Sequence, residues 1–163
     1  MATPQSMVAI SKALSSTRST DRGALWGDVL KDMPLFADVP KRHVKKIASL
    51  TREVRFAAHS VIVRQGDRGD AFFVILEGSA AVTRPGGLPA IQLGPGDYFG
   101  EIALIDGAER TATVRAQTDV FCLLLPGRPF MKMVRSEPEI AVALLRQLAG
   151  RVRDLQARAQ LTA

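Results

Sequence analysis

Gly100, Glu101 and Arg110 bring a glycine, a carboxylate and a guanidinium together on one short stretch of chain. These are the types needed to hold a small cyclic phosphodiester. If residues 100–105 form a helical turn, its first amides have no intrahelical acceptor and carry partial positive charge. A phosphate can sit there, and glycine at the entry lets the backbone approach closely. Arg110 adds a planar fork of donors for the exocyclic phosphate oxygens, a bidentate grip no ammonium can match. Glu101 would repel the phosphate, so its task is to accept a hydrogen bond from a ribose hydroxyl. Phe99, Ile102 and Ala103 flank the turn, and Thr111 and Ala112 follow the arginine. Residues 99–103 and 110–112 are therefore the candidate ligand-binding set. Singly, each feature has a plainer reading: Glu101 and Arg110 as a weak surface ion pair, Phe99-Gly100-Glu101 as an ordinary strand-to-helix corner.

The elements that must position these residues can be read from the turns. Gly94-Pro95-Gly96-Asp97 is a tight turn leading into the site. Short strands are expected over 53–56, 61–64, 71–77, 80–84, 90–93, 111–116 and 120–125, broken at Gln65-Gly66-Asp67, Glu77-Gly78 and Pro85-Gly86-Gly87. So many short strands suggest an antiparallel sandwich or jelly-roll barrel. Helices are expected over 23–30, 40–50, 129–134 and 137–158. The last carries an N-terminal signal, with Ser136 as cap, Pro138 in the first turn and Glu139 three residues beyond the cap. Ile140, Leu144, Leu148, Val152 and Leu155 then recur at near-helical spacing. Residues 1–24 are rich in Ser and Thr with no acid before Asp21, and read as a flexible tail on a folded domain of 25–163. That domain divides into N-terminal helices over about 25–50, a β-roll over about 53–125 and C-terminal helices over about 128–160.

Composition narrows the function classes. A chain of 163 residues, 47% hydrophobic and 23% charged, holds one domain with a sizeable core and has no apolar run near a membrane span. One cysteine, Cys122, rules out an internal disulfide, and its apolar neighbours mark it as a small core residue. Two histidines, His43 and His59, give no metal-ligand pattern and no nucleophilic triad, so neither a metal nor catalytic residues are expected. A small barrel enzyme built on a histidine-rich metal site is disfavoured for the same reason. The net charge of +6 is concentrated in residues 1–60, which hold ten Lys and Arg against five acids. The basic run 41–46 could be a nucleic-acid patch. Pro40, Val44, Ile47 and Leu50 instead make it the solvated face of an amphipathic helix.

The run FGEIALIDGAERTATVRA, with Gly66, Gly78, Gly96 and Gly100 at the expected strand turns, resembles the phosphate-binding cassette of the cyclic-nucleotide-binding domain family. That family includes the regulatory subunits of protein kinase A, the bacterial catabolite activator and the ligand domains of cyclic-nucleotide-gated channels. The resemblance runs from about residue 35 to about residue 155. It implies a β jelly-roll, a double-stranded β-helix barrel flanked by N-terminal helices and a C-terminal helix pair. It also implies the same roles for Glu101 and Arg110, and a final helix that swings over the base when ligand binds. No aromatic follows Phe130, which leaves Arg151, Val152, Arg153 or Leu155 as the lid. In the resembling kinases that prefer cyclic GMP a threonine follows the arginine, as Thr111 does here; those that prefer cyclic AMP have alanine. Similar channel domains keep the threonine and respond to cyclic AMP, so cyclic AMP is taken ahead of cyclic GMP. The expectation is a cytoplasmic, non-enzymatic sensor acting through an unidentified effector protein, as a monomer or as a homodimer through Leu145 and Leu148. Catabolite activators bind DNA through a module beyond the long helix; the chain stops at Ala163, and no such module is expected. The alternative is a jelly-roll interaction module that has lost nucleotide binding.

Overall fold

The computed structural model describes residues 19–161. Two four-stranded antiparallel sheets form the centre. The eight strands are β1 (Arg52–Phe56), β2 (Val61–Val63), β3 (Ala71–Glu77), β4 (Ala80–Thr83), β5 (Ile91–Leu93), β6 (Tyr98–Phe99), β7 (Thr113–Ala116) and β8 (Val120–Pro126). One sheet runs β1-β8-β3-β6 and the other β2-β7-β4-β5. The roll is thus two facing sheets, with no closed barrel among the described residues.

The near-continuous apolar runs of β3 and β8 follow from this placement. Strand side chains alternate between faces, and these two strands are covered on both. Phe73, Ile75, Val120 and Cys122 point into the core between the sheets, with Val114, Ala116 and Ala80 of the second sheet. Phe72, Val74, Leu76, Phe121, Leu123 and Leu125 point the other way, into a second core under the helices. That core is closed by α1 (Ser19–Lys31), a 3-10 turn at Pro34–Phe36, α2 (Lys41–Leu50), α4 (Gly127–Ser136) and the first turns of α5 (Pro138–Leu161). A short helix, α3 (Glu101–Asp106), lies between the sheets' strands in sequence and carries the candidate cassette.

Several boundaries differ from expectation for local reasons. Helix α1 begins at Ser19, so the expected tail boundary at residue 24 falls inside a helix; residues 1–18 lie outside the described residues. Ser136 does not cap α5. It ends α4 and its hydroxyl donates back to the Met133 carbonyl at 3.1 Å, leaving Glu137 as the link before Pro138. Strand β6 was not expected, since two residues are too few for a visible alternation. Along α5 only the first half of the apolar stripe is covered: Ile140 and Leu144 are buried, whereas Val152 and Leu155 are each more than half exposed.

Helix α5 is anchored at its start. The Arg42 guanidinium donates to Glu139 Oε2 at 2.7 Å, buried His43 lies 3.1 Å from the same oxygen, and Lys46 Nζ is 3.5 Å from Glu137. Ion pairs to α2 thus add modestly to the burial of Ile140 in seating its first turn, and the distal half extends past the body towards α3.

Candidate functional site

Gly100 takes φ 91°, a left-handed conformation that side chains other than glycine adopt at a cost of about 1–2 kcal/mol. A Cβ there would also collide with Nη1 of Arg110. Glycine is therefore required twice over, for the turn and for the arginine that packs against it.

Arg110 is buried, with 7% of its surface exposed. Its Nη1 donates to the Gly100 carbonyl at 2.9 Å and its Nη2 to the Ala71 carbonyl at 2.7 Å. Backbone bonds from Arg110 N to the Asp67 carbonyl (2.8 Å) and from Gly66 N to the Arg110 carbonyl (2.9 Å) fix its loop. Burial pushes the guanidinium pKa down, opposed by the fields of Asp70, Glu101 and Asp67. None of those carboxylates forms an ion pair with it. Its direct partners are therefore neutral carbonyls, and the carboxylates act on it only through their fields.

Glu101 opens α3 and is also buried, with 5% exposed. Its partner is Arg151 of α5, whose Nη1 donates to Glu101 Oε1 at 2.5 Å. The same guanidinium lies 5.5 Å from the centroid of the Tyr98 ring, a cation–π distance. Burial raises the Tyr98 pKa, and the Arg151 charge opposes that shift. Phe99 is held by stacking on Phe73, with centroids 5.1 Å apart and planes 13° from parallel.

These groups surround a cavity of about 130 Å³. All eight residues singled out from sequence, Phe99, Gly100, Glu101, Ile102, Ala103, Arg110, Thr111 and Ala112, line it. Of the four lid candidates only Arg151 does; Val152, Arg153 and Leu155 are exposed and take no part in the wall. Arg151 reaches the carboxylate rather than an apolar base site. The wall also contains Tyr98 and, from the second sheet, Val63, Val82, Arg84, Ile91 and Leu93. Sequence reasoning missed these because strands far apart in the chain supply them. The one signal was Arg84 closing an apolar strand just before Pro85-Gly86-Gly87. Arg84 makes no hydrogen bond or ion pair among the described residues, which also contain no cluster of metal-ligating side chains.

The model of the cyclic nucleotide-binding domain family matches residues 53–137, just over half of the chain. A cyclic nucleotide-gated potassium channel of Mesorhizobium japonicum is 40% identical over 71% of this chain and 33% of its own length. A cAMP-dependent protein kinase regulatory subunit of Schizosaccharomyces pombe is 39% identical over 58% of this chain and 23% of its own. Among solved structures, the regulatory domain of Toxoplasma gondii PKA with cAMP superposes with a TM-score of 0.69 at 30% identity, covering 82% of this chain and 51% of that one. The chain thus spans a third or less of those two curated relatives.

Proposed function

Since this chain belongs to the cyclic-nucleotide-binding domain family, we propose that it is a non-enzymatic cyclic-nucleotide sensor of the cytoplasm that signals to a partner protein. The observation that carries this reading is Arg110, a buried guanidinium at the cavity wall with carbonyls for partners and no carboxylate in ion-pair contact. Two of its five donors are committed to the backbone, and the rest can meet phosphate oxygens beside the first amides of α3. Glu101 accepts the ribose 2'-hydroxyl.

Arg151 narrows the cavity by reaching across to Glu101. Pockets for small ligands run to roughly 300–1,000 Å³, against about 130 Å³ here. Withdrawal of Arg151 by the distal half of α5 would widen the cavity and free the Glu101 carboxylate. Glu101 then exchanges Arg151 for the ribose hydroxyl, and the helix resettles over the base. Leu104 lies in one core with Phe130 and Met133, so motion of α3 reaches α4 through it. Ile105, the next residue of α3, is 42% exposed and lies outside that core. Ligand shifts such an equilibrium only by its difference in affinity for the two states.

Cyclic AMP is the leading ligand. Cyclic GMP is the second reading, favoured by Arg84, unpaired among the described residues, and by Thr111 in the same wall. An arginine fork fits guanine O6 and N7, and a threonine hydroxyl can accept from the 2-amino group. Calorimetry with cyclic AMP, cyclic GMP and 5'-AMP tests the assignment. Binding of either cyclic nucleotide well ahead of 5'-AMP is expected; no binding of any would leave an interaction module. Spin labels on Asp154 and Gln92 test the motion, and an unchanged distance at saturating nucleotide would remove the switch.

A further inference from the structure

A second and larger cleft, of about 600 Å³, opens between α3 and α4. Three cations of α4 line it: Arg128, Lys132 and Arg135, at i, i+4 and i+7 and so on one helix face. The only acid in the wall is Asp70. All three cations are exposed, and none makes an ion pair or hydrogen bond among the described residues. Buried Leu104 and half-buried Met131 supply apolar surface beside them.

A free phosphate would engage one or two of these charges. A row spanning about 10 Å along a helix, at about 1.5 Å per residue, with apolar surface beside it, fits a longer ligand of repeating negative charge. The N-terminal segment of this chain cannot be that ligand, since residues 1–18 contain no Asp or Glu. We propose that this cleft docks an amphipathic helical segment of a partner protein, with acidic side chains at helical spacing on Arg128, Lys132 and Arg135 and an aliphatic one on Leu104 and Met131.

Docking here is linked to the nucleotide cavity through α3. Ala103 lines both spaces. A Cβ added at Gly69 would strike the Ala103 methyl, and one at Gly127 would strike Leu104 Cδ1. The cassette helix is thus packed tightly against both sides of the cleft, and moving it changes the cleft's shape. This coupling rests on the cyclic-nucleotide reading; the docking itself does not.

The test uses a fluorescein-labelled synthetic helix with glutamates at i, i+4 and i+7 and leucines between them, titrated by anisotropy at low ionic strength. A second peptide carries lysine in place of each glutamate. The glutamate peptide is expected to bind, and the triple variant Arg128→Gln/Lys132→Gln/Arg135→Gln to weaken it by at least about tenfold, as loss of charge-assisted bonds implies. A control triple, Arg52→Gln/Arg64→Gln/Arg153→Gln, is expected to bind as the native chain does. Circular dichroism reports the folding of the cleft variant and cyclic AMP titration the nucleotide site, so a native chain that binds peptide but no nucleotide would refute the sensor reading alone. Docking is overturned if the glutamate peptide fails to bind the native chain, if the lysine peptide binds as well, or if both triples behave alike. Sedimentation showing self-association abolished by the cleft variant would assign the face to a second copy and overturn it too.

Discussion

At the scale of single residues, Arg110 and Gly100 form one unit. Arg110→Ala is expected to weaken cyclic-nucleotide binding by one to two orders of magnitude, since a charge-assisted bond contributes about 1.5–3 kcal/mol; calorimetry measures it. Gly100→Ala is expected to act through the same atoms. Its methyl would displace Nη1 of Arg110 and strain a φ of 91°, so affinity should fall although no ligand contact is removed. An unchanged affinity in either variant would mean the phosphate binds elsewhere. Base selection belongs to this scale as well. Arg84→Ala should weaken cyclic GMP more than cyclic AMP, because adenine has no O6 acceptor for the guanidinium. Equal loss for both would remove Arg84 as a base reader. The cassette was legible because its chemistry is local: glycine, carboxylate and arginine lie on one loop–helix–loop segment. Arg84 and Tyr98 were not, because their relation to the cavity depends on strand pairings that put β4 beside β7 and β6 beside β3.

At the scale of elements, α5 matters most, and its two halves behave differently. The first half is fixed by the apolar contacts of Ile140 and Leu144 and by the Glu137 and Glu139 pairs to α2. The second half is held over the site by Arg151, whose side chain is about half exposed (48%) although Glu101 is buried. Exposed pairs contribute about 0.2–1 kcal/mol. Arg151→Ala is therefore expected to tighten nucleotide binding by no more than about fivefold and to speed association, because a competitor for Glu101 is removed. Stopped-flow binding measures both; slower association or weaker binding would make Arg151 a ligand contact and not a competitor. The periodicity of α5 revealed the helix and its length. It could not reveal that the apolar stripe runs beyond the body at Val152, since an uncovered stripe and a covered one have the same spacing. The lid residue was narrowed to four in sequence, and the structure brings only Arg151 to the cavity because a long, flexible side chain can reach a buried carboxylate where Val152 cannot.

At the scale of the molecule, the first sheet separates two cores, one between the sheets and one under the helices. Seven of the eight strands and four of the five helices were visible from turn chemistry and apolar spacing, and the fifth, α3, was posited as the turn at 100–105. Strand order was not, because every strand of β3's composition could pair with any other; only the three-dimensional arrangement explains why β3 and β8 are apolar on both faces. Cys122 reports on this arrangement. It lies on β8 with no exposed surface, facing the core between the sheets, and burial pushes its thiol up to about 12 from 9.0. The thiolate is the reactive form, so the native chain is expected to resist iodoacetamide at pH 8 and to react once unfolded. The linkage sign follows from the raised pKa. Between about 9 and about 12 the folded thiol keeps a proton that the unfolded one loses, so the folded state holds more protons and stability falls as pH rises through that window. Below it the contribution is constant. Chemical unfolding of the native chain and of Cys122→Ala should give a difference in stability that is flat up to about pH 9 and narrows above it. A difference that stays level through the alkaline range would place the thiol in contact with water and open the core between the sheets.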